Sequence, residues 1–453
     1  QINYGGSGPG YVESEFQIYP YLISECYKIF GFWESIGRII SFLFSLATML
    51  VFFRLSRFLL ERKAAIVASL IFSISPILMV ISVAIQPEAV MFFFYVCSGY
   101  TFIRWLDDES KTYYWLSIIF TALALLCKIT AANIGIFFLL LIIVKKGWGF
   151  LYKPKVLIFG ALSIIPSILW YSYGHQFYVL YGNSLGLSNE NPWIGWDFFT
   201  SRNLISGLMR IELSNVWTLA GPFIIILALI FTKVIKKESF LWGIYWFMSA
   251  FVFYIITSRT TAADWAWYYH IFSIPGVSIL LGISVIELYE KYIPQINTKE
   301  KILKKSSATF KSMALILSLI ILSLFFGLSC FKYFNKTKPD IYQTSQYYTC
   351  KDTMKSLIPE NSLILTNGGP SKGELGNSLA IQIGYFFYWL DRKGYSISTE
   401  DLALKNILSF KGKGVSYFVA EENFLQTKPG LESDLKKNLK VVFECNGCIL
   451  FKL

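Results

Sequence analysis

Long apolar stretches alternate along the chain with short polar connections. Ile39–Phe53, Ala64–Ile85 and Met313–Leu328 contain no Lys, Arg, Asp or Glu. A spanning helix needs about 20 mostly apolar residues. The pattern predicts ten such segments, at about 36–58, 64–82, 86–104, 112–127, 130–145, 155–174, 216–235, 240–257, 269–288 and 313–330. Ahead of the first, residues 23–30 read as a short amphipathic helix ended by Gly31. Beyond about residue 330 the pattern changes. Short β-type runs at Leu363–Leu365, Val415–Val419 and Val441–Phe443 alternate with helical stretches at about 373–387, 399–408 and 429–438, which predicts a small α/β domain.

Composition sharpens the class. Of 453 residues, 55% are hydrophobic, 18% aromatic and only 15% charged. Soluble domains average roughly a quarter charged residues, so a soluble enzyme and a disordered chain are both excluded. A polytopic α-helical membrane protein is expected.

The net charge of +12 is explained by its distribution rather than by nucleic acid. Nineteen Lys and Arg fall in one alternating set of loops (54–63, 104–111, 145–155, 233–238 and 289–311), and five in the other set: Lys28, Lys128, Arg202, Arg210 and Arg259. Basic loops face the cytoplasm. Both termini are therefore expected outside, giving a first outer loop at 1–35, a transmembrane domain at 36–330 and an extracytoplasmic α/β domain at 331–453. The chain opens on Gln1, and a further span upstream is expected to deliver it to the outer side. The outer loop 175–215, crowded with Tyr and Trp, is expected to lie on the membrane.

Cys97 and Cys127 fall in spans and read as small apolar residues. Cys445-Asn446-Gly447-Cys448 is a two-residue hairpin signature. Its cysteines are expected to face each other, bridged or simply packed; neither histidine is near enough in sequence to suggest zinc.

The segment between Lys111 and Lys145 carries one charge, Lys128. Both flanks are cytoplasmic by charge, so the chain must cross and return within it. Each arm of about 16 residues spans roughly 24 Å at 1.5 Å per residue, short of a core of about 30 Å. Lys128 is expected low in the outer leaflet, either snorkelling to a headgroup or holding the phosphate of a lipid substrate.

Other polar candidates map to the same side. Glu13 and Glu15 share one face if their segment is extended. Glu88 follows Pro87 at a span entrance, where a helix cap would explain it equally well. Asp264 precedes Tyr269 and His270, and Arg259 and His270 could together grip a phosphate, the arginine by its planar fork. A transporter or flippase of a lipid-linked sugar is the competing class, but its charges usually sit near mid-membrane. Here the spans are nearly free of charge and the acids gather at one face.

In this order the residues become familiar. Gly8-Pro9-Gly10-Tyr11-Val12-Glu13-Ser14-Glu15-Phe16, Tyr19-Pro20-Tyr21-Leu22, Phe30-Gly31, Gly37-Arg38, Ser75-Pro76, Gln86-Pro87-Glu88 and Tyr268-Tyr269-His270 with Pro275 resemble the bacterial dolichyl-phosphate-mannose–protein mannosyltransferase-like family. The resemblance implies a GT-C fold and an inner-membrane enzyme. It also implies transfer of a hexose or pentose from a polyprenyl phosphate to a protein, lipid or glycan on the outer face. It places the main catalytic aspartate, in an Asp-Glu pair, upstream of Gln1, with Glu13 and Glu15 as its neighbours and Glu88 as a second-loop acid. Lys128, Arg259, Asp264, Tyr269 and His270 would bind substrate. No cofactor is implied with certainty, although the chemistry leaves room for a divalent metal.

Overall fold

The computed structural model describes residues 13–181, 184, 187–188, 194–218, 220–292, 324, 327–328, 331, 347–371 and 384–453. Its chain divides into two compact units. One comprises Glu15–Leu169 and Pro192–Lys338; the other comprises Gln1–Ser14, Trp170–Asn191 and Pro339–Leu453.

The first unit is helical. α1 (Ile18–Phe30) ends at Gly31, whose φ of 77° is one a side chain would resist. It starts five residues earlier than the sequence suggests. Next come α2 (Ser35–Leu59), α3 (Arg62–Ser73) and α4 (Pro76–Ile81). The segment expected at 64–82 is thus broken at Ser75-Pro76, because proline lacks the amide that would continue the helix. α5 (Glu88–Asp108), α6 (Lys111–Cys127) and α7 (Ile134–Lys146) follow, the last two joined by a 3₁₀ turn at Ile129–Asn133. α8 (Pro154–Tyr181) runs 28 residues through Pro166, so His175 is helical and not in the loop expected from 175. α9 (Arg202–Asn215), α10 (Ala220–Phe231), α11 (Glu238–Ile256), α12 (Ser258–Thr261) and α13 (Ile274–Tyr292) complete the series. Six described helices are long and apolar enough to cross a membrane, or seven if the bent pair α9–α10 is one span. The segment expected at 313–330 lies almost wholly outside the described residues.

Helix contacts are close where glycine permits. A Cβ on Gly282 would stand 2.8 Å from the Ala64 carbonyl oxygen of α3 and 2.6 Å from the Ala68 Cβ. One on Gly276 would stand 2.7 Å from the Phe247 nitrogen of α11. Large fully buried rings, Phe52, Phe72, Phe92, Tyr95, Trp246 and Tyr254 among them, fill the core of this unit.

In the second unit, residues 347–453 form a five-stranded sheet in the order β2-β1-β3-β5-β4, with β1 Leu363–Asn367, β2 Gly394–Ile397, β3 Val415–Glu421, β4 Lys440–Cys445 and β5 Cys448–Lys452. β1 pairs in parallel with β2 and β3, while β5 is antiparallel to β3 and β4. The expected helices appear at Gly384–Leu390, Leu404–Ser409 and Leu431–Asn438, and 372–383 lie outside the described residues. β2 and β5 are additions to the sequence reading. The Asn446-Gly447 turn has both φ positive, at 47° and 77°, and sets Cys445 opposite Cys448. The bridge is nevertheless Cys350–Cys445, leaving Cys448 a buried thiol.

Candidate active site

Lys128 closes α6 in extended conformation, at φ −161° and ψ 118°. Its amide still donates to Ala124 (3.0 Å), and its carbonyl accepts from Ala131 (3.0 Å). The turn that follows is pinned through Asn133. The Asn133 amide donates to the Thr130 carbonyl (2.7 Å), the Tyr95 hydroxyl donates to Asn133 Oδ1 (2.8 Å), and the Ser249 hydroxyl donates to the Asn133 carbonyl (2.5 Å). A turn held from three sides keeps the lysine directed inward.

Only 6% of Lys128 is exposed. Its ammonium bonds Glu88 Oε1, lies 3.9 Å from Glu15 Oε1, and faces the rings of Tyr268 and Tyr269 at 4.8 and 4.9 Å from their centroids. The snorkelling alternative is overturned. A buried ammonium needs compensating charge, and here two carboxylates and two aromatic faces supply it. Each ring contact is worth about 0.5–2 kcal/mol, depending on desolvation.

The two carboxylates come from separate segments of the chain. Glu88 occupies the first turn of α5, where an acid suits the helix N-terminus, but its side chain makes no capping hydrogen bond there. It is 3% exposed, and its Oε2 has no hydrogen-bond partner. Glu15 is delivered by the Phe16 amide, which donates to the Leu126 carbonyl near the end of α6 (3.1 Å). Burial pushes the Glu15 carboxyl above its ordinary range, Lys128 opposes this, and the charge of Glu88 adds to it.

The remaining candidates go elsewhere. Glu13, 3% exposed, forms a backbone bridge with Ser184 and sets its Oε1 3.2 Å from His175 Nδ1. Glu13 and Glu15, expected on one face, thus serve different partners. Arg259 bonds Asp197 at an exposed position and holds its carboxyl below the usual range. Asp264 pairs with Arg210 at 2.7 Å, both largely exposed. His270 is fully buried. Its Nδ1 lies 2.7 Å from Glu212 Oε1, and its Nε2 donates to the Thr261 carbonyl at 2.9 Å. In this structure Arg259 and His270 thus face different acids, Asp197 and Glu212. Of the predicted residues, the structure brings together Lys128, Glu15, Glu88 and Tyr269.

Two residues were missed. Tyr268 stood in the aromatic motif without a role. Glu212 had a visible signal: Leu208, Ile211, Glu212 and Asn215 are the i, i+3, i+4 and i+7 positions of α9, and all are buried. A carboxylate on an apolar stripe asks for a buried partner. As for metal, no group of three or more His, Cys, Asp or Glu converges among the described residues. Glu15 and Glu88 already share a lysine cation, so a divalent ion does not fit between them.

Comparison with solved structures shows a match to the GT-C fold. The chain matches ArnT from Cupriavidus metallidurans bound to undecaprenyl phosphate, with a TM-score of 0.60 and 11% identity over 97% of this chain and 88% of that one. It also matches the Archaeoglobus fulgidus oligosaccharyltransferase tethered with an acceptor peptide, with a TM-score of 0.52 and 13% identity over 93% of this chain but only 62% of that one. Residues 17–171, about a third of the chain, match the family described as dolichyl-phosphate-mannose-protein mannosyltransferase. No curated protein sequence matches it.

Proposed function

We propose that the protein is a membrane glycosyltransferase that moves a hexose or pentose from a polyprenyl-phosphate donor to a glycan, lipid or protein acceptor on the outer face. The observation that carries this reading is the buried Lys128 ammonium, walled by Glu88, Glu15, Tyr268 and Tyr269. The fold match to a protein crystallised with undecaprenyl phosphate supports the choice of ligand. The inner membrane is the expected location, with the α/β domain extracytoplasmic.

In this reading the donor phosphate takes the place of Glu88 on the ammonium. A carboxylate accepts the proton of the acceptor hydroxyl. The acceptor oxygen bonds the anomeric carbon while the bond to the phosphate oxygen breaks, its electron pair leaving with the lipid phosphate. Lys128 stabilises that departing charge. Among the described acids, Glu15 is the preferred base, because burial raises its proton affinity. Glu13→Gln should slow transfer by only about 10-fold to 100-fold, through lost positioning.

Removing Lys128 alone would strand Glu88 as a buried unpaired carboxylate, at a cost of roughly 3–5 kcal/mol. The test is therefore Lys128→Met with Glu88→Gln in full-length protein, measuring undecaprenyl phosphate binding. Binding should be lost in the double variant and kept or tightened in Glu88→Gln alone, where the competing carboxylate is gone. Parent-like binding by the double variant would remove Lys128 from the donor site.

A further inference from the structure

The segment Asp264–Ser273 carries Tyr268 and Tyr269 to Lys128 and, one residue later, His270 into the core. Thr261 offers His270 Nε2 only a carbonyl, so Nε2 must carry a hydrogen. One further proton lies between Nδ1 and Glu212 Oε1. On either partner, it leaves the pair neutral overall. His270 thus has no nitrogen to offer a ligand.

The rest of the shell fixes the segment. Glu212 Oε1 also lies 3.0 Å from the Ser273 hydroxyl, whose single proton it shares with the His270 carbonyl at 2.9 Å. The Tyr254 ring stacks on the imidazole at 4.4 Å, and the Tyr254 hydroxyl accepts from the Ser273 amide at 3.1 Å. Glu212 therefore holds two side chains of the segment, three residues apart, from a different helix. Its Oε2 is buried without a hydrogen-bond partner. An apolar residue would fill such a place at less desolvation cost, so what the carboxylate supplies is direction.

We infer that Glu212 is a positioning residue of the Lys128 site: through His270 and Ser273 it fixes the segment that sets Tyr268 and Tyr269 against the ammonium. It touches neither the donor nor Lys128. Its effect on the donor rests on the reading of Lys128 as the phosphate site; its effect on the lysine's shielding does not.

Full-length Glu212→Gln is compared with the parent by three measurements: undecaprenyl phosphate affinity, mass-spectrometric labelling of Lys128 by a small amine-reactive reagent, and unfolding midpoint. Labelling should rise, and affinity fall, by roughly three- to tenfold, which lies within the coupling expected between contacting residues, with the midpoint near the parent's. Should Glu212→Gln fail to fold, Ser273→Ala keeps the acid–imidazole bond and should give a smaller rise in labelling. Unchanged Lys128 labelling in a folded Glu212→Gln variant, or in Ser273→Ala if only that folds, overturns the inference. A parent that fails to bind the lipid refutes the donor reading instead, and labelling alone then decides the role of Glu212.

Discussion

Lys128, Glu15 and Glu88 form a group in which one cation stands between two acids, and the charge of each acid bears on the other. The Glu15 carboxyl titrates above its ordinary range because burial outweighs the pull of Lys128. In its proposed role as base it works only when ionised, so transfer should fall on the acid side at a higher pH than a free glutamate, near 4.3, would give. Glu88 is one of the causes that raise it. Glu88→Gln should therefore move the acid limb of the pH–rate profile to lower pH, and Glu15→Gln should abolish it along with on the order of 10³-fold of the rate. An acid limb that survives Glu15→Gln would assign the base elsewhere. The types of these residues were visible in the sequence, but their grouping was not. Glu88 and Lys128 are 40 positions apart and meet only because α5 and α6 pack side by side.

Helix packing depends on glycines whose importance the sequence does not display. Gly282 lies where α13 crosses α3, and an added Cβ would come within 3 Å of backbone atoms there. Gly282→Val should destabilise by about 1–3 kcal/mol or more, as overpacking does. Gly160 in α8 has nothing within 4 Å of an added Cβ. Gly160→Ala should be neutral or stabilising by about 0.5–1 kcal/mol, through helix propensity. Unfolding midpoints of the two variants in detergent check the contrast, and equal midpoints would contradict the packing. Apolar periodicity located α2, α6 and α11 closely. It missed the break at Pro76, where a proline without an amide ends one helix, and it stopped α8 at 174, seven residues short of Tyr181.

Across the whole molecule, the asymmetry of nineteen basic residues against five between the two loop classes predicts the topology. Cysteines placed at Arg62, Lys146 and Lys236 should resist a membrane-impermeant thiol reagent applied to intact cells from outside, and positions in the α/β domain should react. Labelling of position 146 from outside would invert the map. Lys304, in the last basic loop, lies outside the described residues, and labelling tests it in the same way.

The sequence by itself determined the class of protein: too little charge for a water-covered surface, apolar runs of spanning length, a switch to short β-type runs after residue 330, and a turn at Asn446-Gly447. Each is a local or compositional property, legible without knowing what touches what. Only the tertiary structure decided the rest. It paired Cys445 with Cys350 instead of the nearer Cys448, gave His270 and Arg259 different acid partners, and placed Lys128 among carboxylates and rings. A charge inside a bundle must be matched by whichever partners the helix crossings bring within reach. Those crossings depend on steric fit between residues far apart in the chain, and no local pattern encodes them.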